Sequence, residues 1–218
     1  MTADSTLLFE RALALHKNNQ LAEAIQLYRE ALERGPEFAE LLIASGIAFF
    51  MNGQANEAEK TLRRATELAP ANALAHSHLG TILNELGRPR EAILFLERAV
   101  ELLPEDAVSL TNLGCSYRTL GRLEEARDAF LRAVQLDQTV PEIHSNLGTV
   151  FAMMDQPTEA GLRLYAAMVL SPGYADAYSN MGGVLLRGGL PHTEPAMKVL
   201  RRAVQINPDL PTAHSNLS

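Results

Sequence analysis

The sequence lacks the features typical of disulfide-bonded, membrane-spanning and nucleic-acid-binding proteins. Its single cysteine, Cys115, excludes an internal disulfide and a metal centre built from several cysteines. No apolar run approaches the ~18 residues of a membrane-spanning helix, and the first residues lack the basic start and apolar core of a secretory signal. The net charge of -7 makes nucleic acid and anionic membranes poor partners. We therefore expect a cytoplasmic protein that binds neither.

What the sequence does contain is a repeat with a fixed period. Five glycines are each 34 residues apart: Gly46, Gly80, Gly114, Gly148 and Gly182. Two columns of alanine keep the same period until both resume two residues late: Ala24, Ala58, Ala92, Ala126, Ala160, Ala196; and Ala31, Ala65, Ala99, Ala133, Ala167, Ala203. The two extra residues must lie within 190–195. Such a period predicts a stacked array whose neighbouring units share one long core.

Each unit reads as two helices. In residues 107–140, apolar side chains recur every three or four positions from Leu110 to Leu120, and again from Leu123 to Val134. Inside each unit, one residue is predicted to form the turn between the two helices. In successive units these turn residues are Asn19, Gly53, Gly87, Gly121, Asp155 and Gly189. A glycine inside a helix costs ~1 kcal/mol relative to alanine. The glycine column therefore indicates that two helix backbones approach closely.

These columns resemble a known signature. Leu113-Gly114-x-x-Tyr117, Ala126-x-x-x-Phe130 and a proline at the end of most units are similar to the tetratricopeptide repeat (TPR) family. The resemblance implies an all-α, right-handed α-solenoid of six helix hairpins plus a truncated seventh, forming one superhelical domain over residues 1–218. The expected repeats are 5–38, 39–72, 73–106, 107–140, 141–174, 175–210 and a partial 211–218.

The resemblance also implies which residues line the concave groove. One groove-facing position holds a nearly constant set: His78, Asn112, Asn146, Asn180 and Asn216. A carboxamide has both a donor and an acceptor, so a row of them can hold an extended peptide by its backbone. The column resembles the asparagine ladder that binds peptide in O-GlcNAc transferases. The alternative is a polar residue that faces water and was copied by duplication.

A second candidate surface lies near the N-terminus. Apolar side chains occupy groove-facing positions of the first two repeats: Phe9, Leu13, Ile43, Ile47, Phe50 and Met51. Such a surface could bind an apolar peptide, an amphipathic helix or a second copy of the chain. The alternative is that these side chains cover neighbouring helices.

No other pattern indicates chemistry. The groove-facing cations Lys17, Arg118 and Arg187 are too dispersed for the basic clamp with which some TPR domains bind acidic C-termini. His76, His144 and His214 share one repeat position, at least 68 residues apart, which suits packing better than metal binding. We expect no catalytic residue, metal or cofactor, and hence no enzyme.

The sequence therefore predicts a scaffold that binds a protein or an extended peptide in its groove. Two alternatives stay open. One is the substrate-recruiting region of a glycosyltransferase similar to O-GlcNAc transferase, whose catalytic domain is absent from these residues. The other is an array that self-associates through its uncapped C-terminal end or its apolar N-terminal groove.

Overall fold

The computed structural model describes residues 3–187 and 194–217, and the described residues are all-α. The chain divides into two compact units, unit 1 (Met1–Glu105) and unit 2 (Asp106–Ser218). Unit 1 contains α1 (Ala3–Lys17), α2 (Leu21–Arg34), α3 (Ala39–Met51), α4 (Ala55–Leu68), α5 (Ala73–Glu85) and α6 (Pro89–Leu102). Unit 2 contains α7 (Ala107–Thr119), α8 (Leu123–Leu136), α9 (Pro141–Met153), α10 (Pro157–Leu170), α11 (Ala175–Arg187), α12 (Glu194–Ile206) and α13 (Pro211–Leu217).

The helices pack as sequential hairpins, which confirms the predicted fold class. Each odd-numbered helix from α1 to α11 packs against the even-numbered helix that follows it, and α13 packs on α11 and α12. We call the odd-numbered members first helices and the even-numbered members second helices. Among the described residues, every helix is too short or too polar to traverse a lipid bilayer.

The turn inside each hairpin depends on one residue with a left-handed backbone. The φ angles are +62° at Asn19, +75° at Gly53, +72° at Gly87, +74° at Gly121 and +58° at Asp155, as the sequence pattern predicted. Glycine and asparagine adopt this conformation at lower cost than other residues. The predicted turn residue Gly189 and most of the two-residue insertion in 190–195 lie outside the described residues.

The small-residue columns let the two helices of each hairpin meet. Every member of the two alanine columns is fully buried, with no exposed surface. A Cβ placed on Gly80 would lie 2.4 Å from Cγ of Leu96 on the facing helix, and one on Gly114 would lie 2.8 Å from Cε1 of Phe130. Such distances are well inside van der Waals contact, so these glycines are a packing requirement.

In unit 1, Tyr28 is the largest polar-tipped side chain in the core. It is fully buried on α2, and its hydroxyl lies 3.3 Å from Nδ1 of His16. Burial raises the pKa of Tyr28 from 10.0 to about 12, because a phenolate would lose its hydration there.

This raised pKa predicts a loss of stability in alkali. The folded state binds the phenolic proton more tightly than the unfolded chain, so the contribution of Tyr28 is complete below pH 10 and is lost as the pH rises towards 12. At about 1.4 kcal/mol per pKa unit, the free energy of unfolding should fall by up to about 3 kcal/mol. Urea unfolding at pH 8, 10 and 11.5 measures it, with Tyr28→Phe as the reference. Equal pH dependence in both proteins would contradict the assignment to Tyr28.

Candidate functional site

The predicted asparagine column leads to a cleft in unit 2. Three first helices supply its polar lining: α9 contributes Thr149, α11 contributes Asn180 and Arg187, and α13 contributes Asn216. The cleft has a volume of about 180 Å³, enough for a few atoms of a bound chain. We call it the asparagine cleft.

Both asparagines in the cleft are held by hydrogen bonds to the preceding first helix. Asn180 Nδ2 donates to the Ser145 hydroxyl at 3.3 Å and to the Thr149 hydroxyl at 3.2 Å. Asn216 Nδ2 donates to the Ser179 carbonyl at 3.3 Å. These bonds join α11 to α9 and α13 to α11, so the column also has a structural role that the sequence did not indicate. They also orient the amides, because the Nδ2 group of each asparagine is directed at the preceding first helix.

The side-chain oxygens of these two asparagines are not engaged in the same way. Within the described part of the chain, neither Asn180 Oδ1 nor Asn216 Oδ1 accepts a hydrogen bond. Gly183 lies beside Asn216, and a Cβ there would already be 3.4 Å from its Nδ2. The absence of a side chain at Gly183 thus keeps the space beside Asn216 open.

Arg187 contributes the positive charge of the cleft. It is exposed at the end of α11 and forms no ion pair with any residue in 3–187 or 194–217. Its guanidinium can donate up to five hydrogen bonds. The sequence placed Arg187 in the groove, but only as a cation too isolated for a basic clamp. Thr149 was missed altogether. Its repeat position, shared with Thr81 and Cys115, was the signal that could have identified it.

The other members of the column differ from one another. Asn146 is half-buried on α9 and makes no hydrogen bond within the described part of the chain. Asn112 on α7 is half-buried and already engaged with other residues. The same is true of His78 on α5, which belongs to unit 1. The structure therefore brings together only Asn180 and Asn216, with Asn146 one first helix away.

Comparison with family models identifies the repeat. Models described as tetratricopeptide repeat match residues 73–139, 8–82 and 111–178, which together extend from 8 to 178. The chain belongs to the tetratricopeptide repeat family. No curated protein matches this sequence significantly.

Solved TPR structures share the fold at low sequence identity. PilW, a widely conserved type IV pilus biogenesis factor, matches with a TM-score of 0.84 at 16% identity over 100% of both chains. YrrB, a TPR protein with an unusual peptide-binding site, matches with a TM-score of 0.69 at 24% identity over 88% of this chain and 98% of its own. Cut9, from the APC/C hetero-tetramer Cut9-Hcn1, matches with a TM-score of 0.82 at 20% identity over 98% of this chain. This chain spans only 42% of Cut9.

The TPR repeat position shared by three histidines has a packing role. His76 Nε2 lies 3.1 Å from the Pro70 carbonyl, and His144 Nε2 lies 3.1 Å from the Gln138 carbonyl, six residues back in both cases. Because a carbonyl only accepts, Nε2 carries the proton. His76 and His144 are buried, and burial lowers the pKa of His76 against the opposing effect of its bond to Pro70. His214 makes the same contact at 2.6 Å while exposed.

The predicted apolar surface of the first two TPR repeats is only partly open. Ile43 is buried, and Phe9 packs edge-on against Phe38 with ring centroids 5.2 Å apart. Leu13, Ile47 and Phe50 are half-buried. Met51 is exposed, with its sulfur 3.4 Å from His16 Nε2. Much of this set therefore packs within unit 1, and Met51 is the member that faces solvent.

Proposed function

We propose that this chain binds an extended segment of a partner protein along the first helices of unit 2. The observation that supports this most directly is the asparagine cleft, where Asn180, Asn216, Thr149 and Arg187 surround a space of about 180 Å³. TPR proteins generally serve as protein-interaction scaffolds, which supports the class of function but not this site.

The polar groups of the cleft complement a peptide backbone. Since the amide nitrogens of Asn180 and Asn216 donate within the protein, their oxygens are the atoms offered to a ligand, and they would accept from peptide N–H groups. Arg187 would donate to a peptide carbonyl, an acidic side chain or a terminal carboxylate. These groups would contact the ligand's backbone and one acceptor group, so binding would depend little on the ligand's sequence.

The comparisons agree with the class of function. The YrrB structure concerns a TPR protein with a peptide-binding site, and Cut9 is found in a complex with Hcn1. The same cleft would serve the substrate-recruiting alternative. The gene region encoding residues after 218 separates that alternative from a free-standing scaffold, since only a glycosyltransferase domain there would support it.

The Arg187→Ala/Asn216→Ala double variant tests the proposal. A peptide selected from a random displayed library on the wild-type chain should bind the variant about tenfold more weakly or worse, since a hydrogen bond to a charged group contributes about 1.5–3 kcal/mol. Fluorescence anisotropy with the labelled peptide measures the affinity. Asn180 is left unchanged because its two bonds, to Ser145 and Thr149, also hold α11 to α9, whereas Asn216 makes a single bond, from α13 to the Ser179 carbonyl. Circular dichroism of the double variant checks that its helix content is unchanged.

Arg132→Ala provides the matched control. Arg132 is an exposed arginine on second helix α8 with no ion pair in the described residues, and its loss should leave the affinity unchanged. Selected peptides that bind the double variant as tightly as the wild-type chain would show that the asparagine cleft is not the binding site.

A further inference from the structure

The second helices α4 and α12 carry the same cationic sequence. Lys60-Thr-Leu-Arg63-Arg64-Ala lies in α4, and Lys198-Val-Leu-Arg201-Arg202-Ala lies in α12 at the same repeat positions. Residues three and four apart share a helix face, so each triplet forms one positive strip. The leucine between them is fully buried in both helices and fixes the same rotation of the strip.

In α4 the two arginines are neutralised by carboxylates. Arg63 pairs with Glu59 at 2.8 Å and with Glu91 of the next hairpin at 2.9 Å. Arg64 pairs with Glu37, which follows the proline at the end of the first repeat. Unit 1 therefore supplies a carboxylate to each arginine from within the protein.

For α12, the counterparts of Glu59 and Glu37 are not carboxylates. Met197 stands four residues before Arg201, where Glu59 stands before Arg63. Gly173 follows Pro172, where Glu37 follows Pro36. Lys198, Arg201 and Arg202 are exposed and form no ion pair in the part of the chain that the structure describes. Arg202 makes only a long contact of 3.5 Å, to the neutral amide of Gln205 on the same helix, among the described residues.

The unpaired strip borders an open groove between α10 and α12. The groove has a volume of about 770 Å³, and its apolar walls include Met168, Tyr178 and Met197. Glu194 is the carboxylate among its lining residues, against the three cations. The corresponding space between α2 and α4 measures about 430 Å³ and is lined by the paired side chains Arg29, Glu57, Glu37 and Arg64. We call the α10–α12 space the basic groove.

We propose that the basic groove binds an acidic segment of a partner protein that also carries apolar side chains. Its carboxylates would take the places that Glu59 and Glu37 occupy beside α4, on Arg201 and Arg202. Its apolar side chains would lie on Met168, Tyr178 and Met197. The net charge of -7 opposes long polyanions, which favours a short acidic segment over nucleic acid or a lipid surface. This surface is formed mainly by the second helices, with Tyr178 contributed by α11, and it shares no lining residue with the asparagine cleft.

The sharpest test restores the missing carboxylates. Met197→Glu places an acid one turn before Arg201, and Gly173→Glu is accommodated because nothing lies within 4 Å of a Cβ there. The probe is a short fluorescein-labelled peptide of glutamate, leucine and serine. We expect the Met197→Glu/Gly173→Glu variant and the Arg201→Glu/Arg202→Glu variant each to bind it about tenfold more weakly or worse than the wild-type chain, with binding weakened by salt.

Three comparisons make the result decisive. Arg132→Glu changes an exposed arginine of α8 that stands at the same repeat position as Arg202 and has no ion pair among the described residues. This variant should bind as the wild-type chain does. The Arg187→Ala/Asn216→Ala variant should also bind this peptide normally, which separates this surface from the proposed cleft. In that same variant, where the asparagine cleft no longer contributes, a peptide with lysine in place of glutamate should not bind.

Several outcomes would overturn the proposal. They are no binding of the acidic peptide, equal binding of the lysine analogue, equal affinity of both groove variants and the wild-type chain, or binding to phosphatidylserine vesicles instead of the peptide. Circular dichroism of each variant confirms that its helix content is unchanged.

Discussion

Phe130→Ala is expected to lower the free energy of unfolding of unit 2 by about 3–5 kcal/mol. Phe130 has no exposed surface, and its ring fills the space opposite Gly114. The facing residue has no side chain with which to refill the gap, so truncation leaves a cavity between α7 and α8. The following hairpin packs on this one through α8 and α9, so the loss should lower the cooperativity of unit 2 as well. Urea unfolding followed by circular dichroism measures both.

Tyr165→Ala is the control for this prediction. Tyr165 is an aromatic residue on second helix α10 of the same unit, but it is 63% exposed. Its removal should change the free energy of unfolding by no more than about 0.5 kcal/mol. Similar costs for Phe130→Ala and Tyr165→Ala would mean that the hairpin can collapse around the missing ring.

Gly80→Val is expected to cost about 3 kcal/mol, because it forces a side chain into a closed helix contact. A Cβ at this position would lie 2.4 Å from Cγ and 2.8 Å from Cδ2 of Leu96, which is itself fully buried. Helices α5 and α6 cannot move apart without exposing Ala92 and Ala99 of α6, which are fully buried. Thermal and urea unfolding of the variant measure the loss. Leu96→Ala in the same chain should recover part of it by opening the space.

Gly161→Ala is expected to stabilise the protein, although it too replaces a glycine inside a helix. Gly161 lies inside α10, and nothing is within 4 Å of a Cβ placed there. Alanine should raise the free energy of unfolding by about 0.5–1 kcal/mol, because it restricts the unfolded chain and favours the helix. A stabilised Gly80→Val variant would contradict the assignment of the glycine column to helix contact. A destabilised Gly161→Ala variant would contradict the open space beside Gly161.

Local features of this fold could be predicted from the sequence because each of them recurs at the same position in several repeats. One glycine in a helix has many explanations, but the spacing of Gly80 and Gly114 leaves only a contact that recurs from unit to unit. The same reasoning identified the left-handed turn residues, including Asn19 and Asp155, where no glycine is present. The packing role of His144 also followed from its position in the period, and the structure adds the carbonyl that it contacts.

Side-chain hydrogen bonds between repeats could not be predicted, because a residue's position in the repeat does not say which side chains it meets. The sequence placed Asn146, Asn180 and Asn216 in one column with one role. In the structure Asn180 and Asn216 are fastened to the preceding first helix, whereas Asn146 makes no hydrogen bond among the described residues. Such bonds depend on the residue at another position of the neighbouring repeat, and Ser145 and Thr149 happen to supply hydroxyls.

The sequence by itself determined the helix hairpins, the residues that close them and the TPR family, because each depends on the period and on the size and backbone freedom of single residues. Only the tertiary structure decided which polar groups remain available to a partner. Arg64 and Arg202 stand at the same repeat position, yet Arg64 is paired with Glu37 of the preceding repeat and Arg202 forms no ion pair among the described residues. Whether a charge is satisfied depends on what the neighbouring helix places beside it, and that is a property of the packed array.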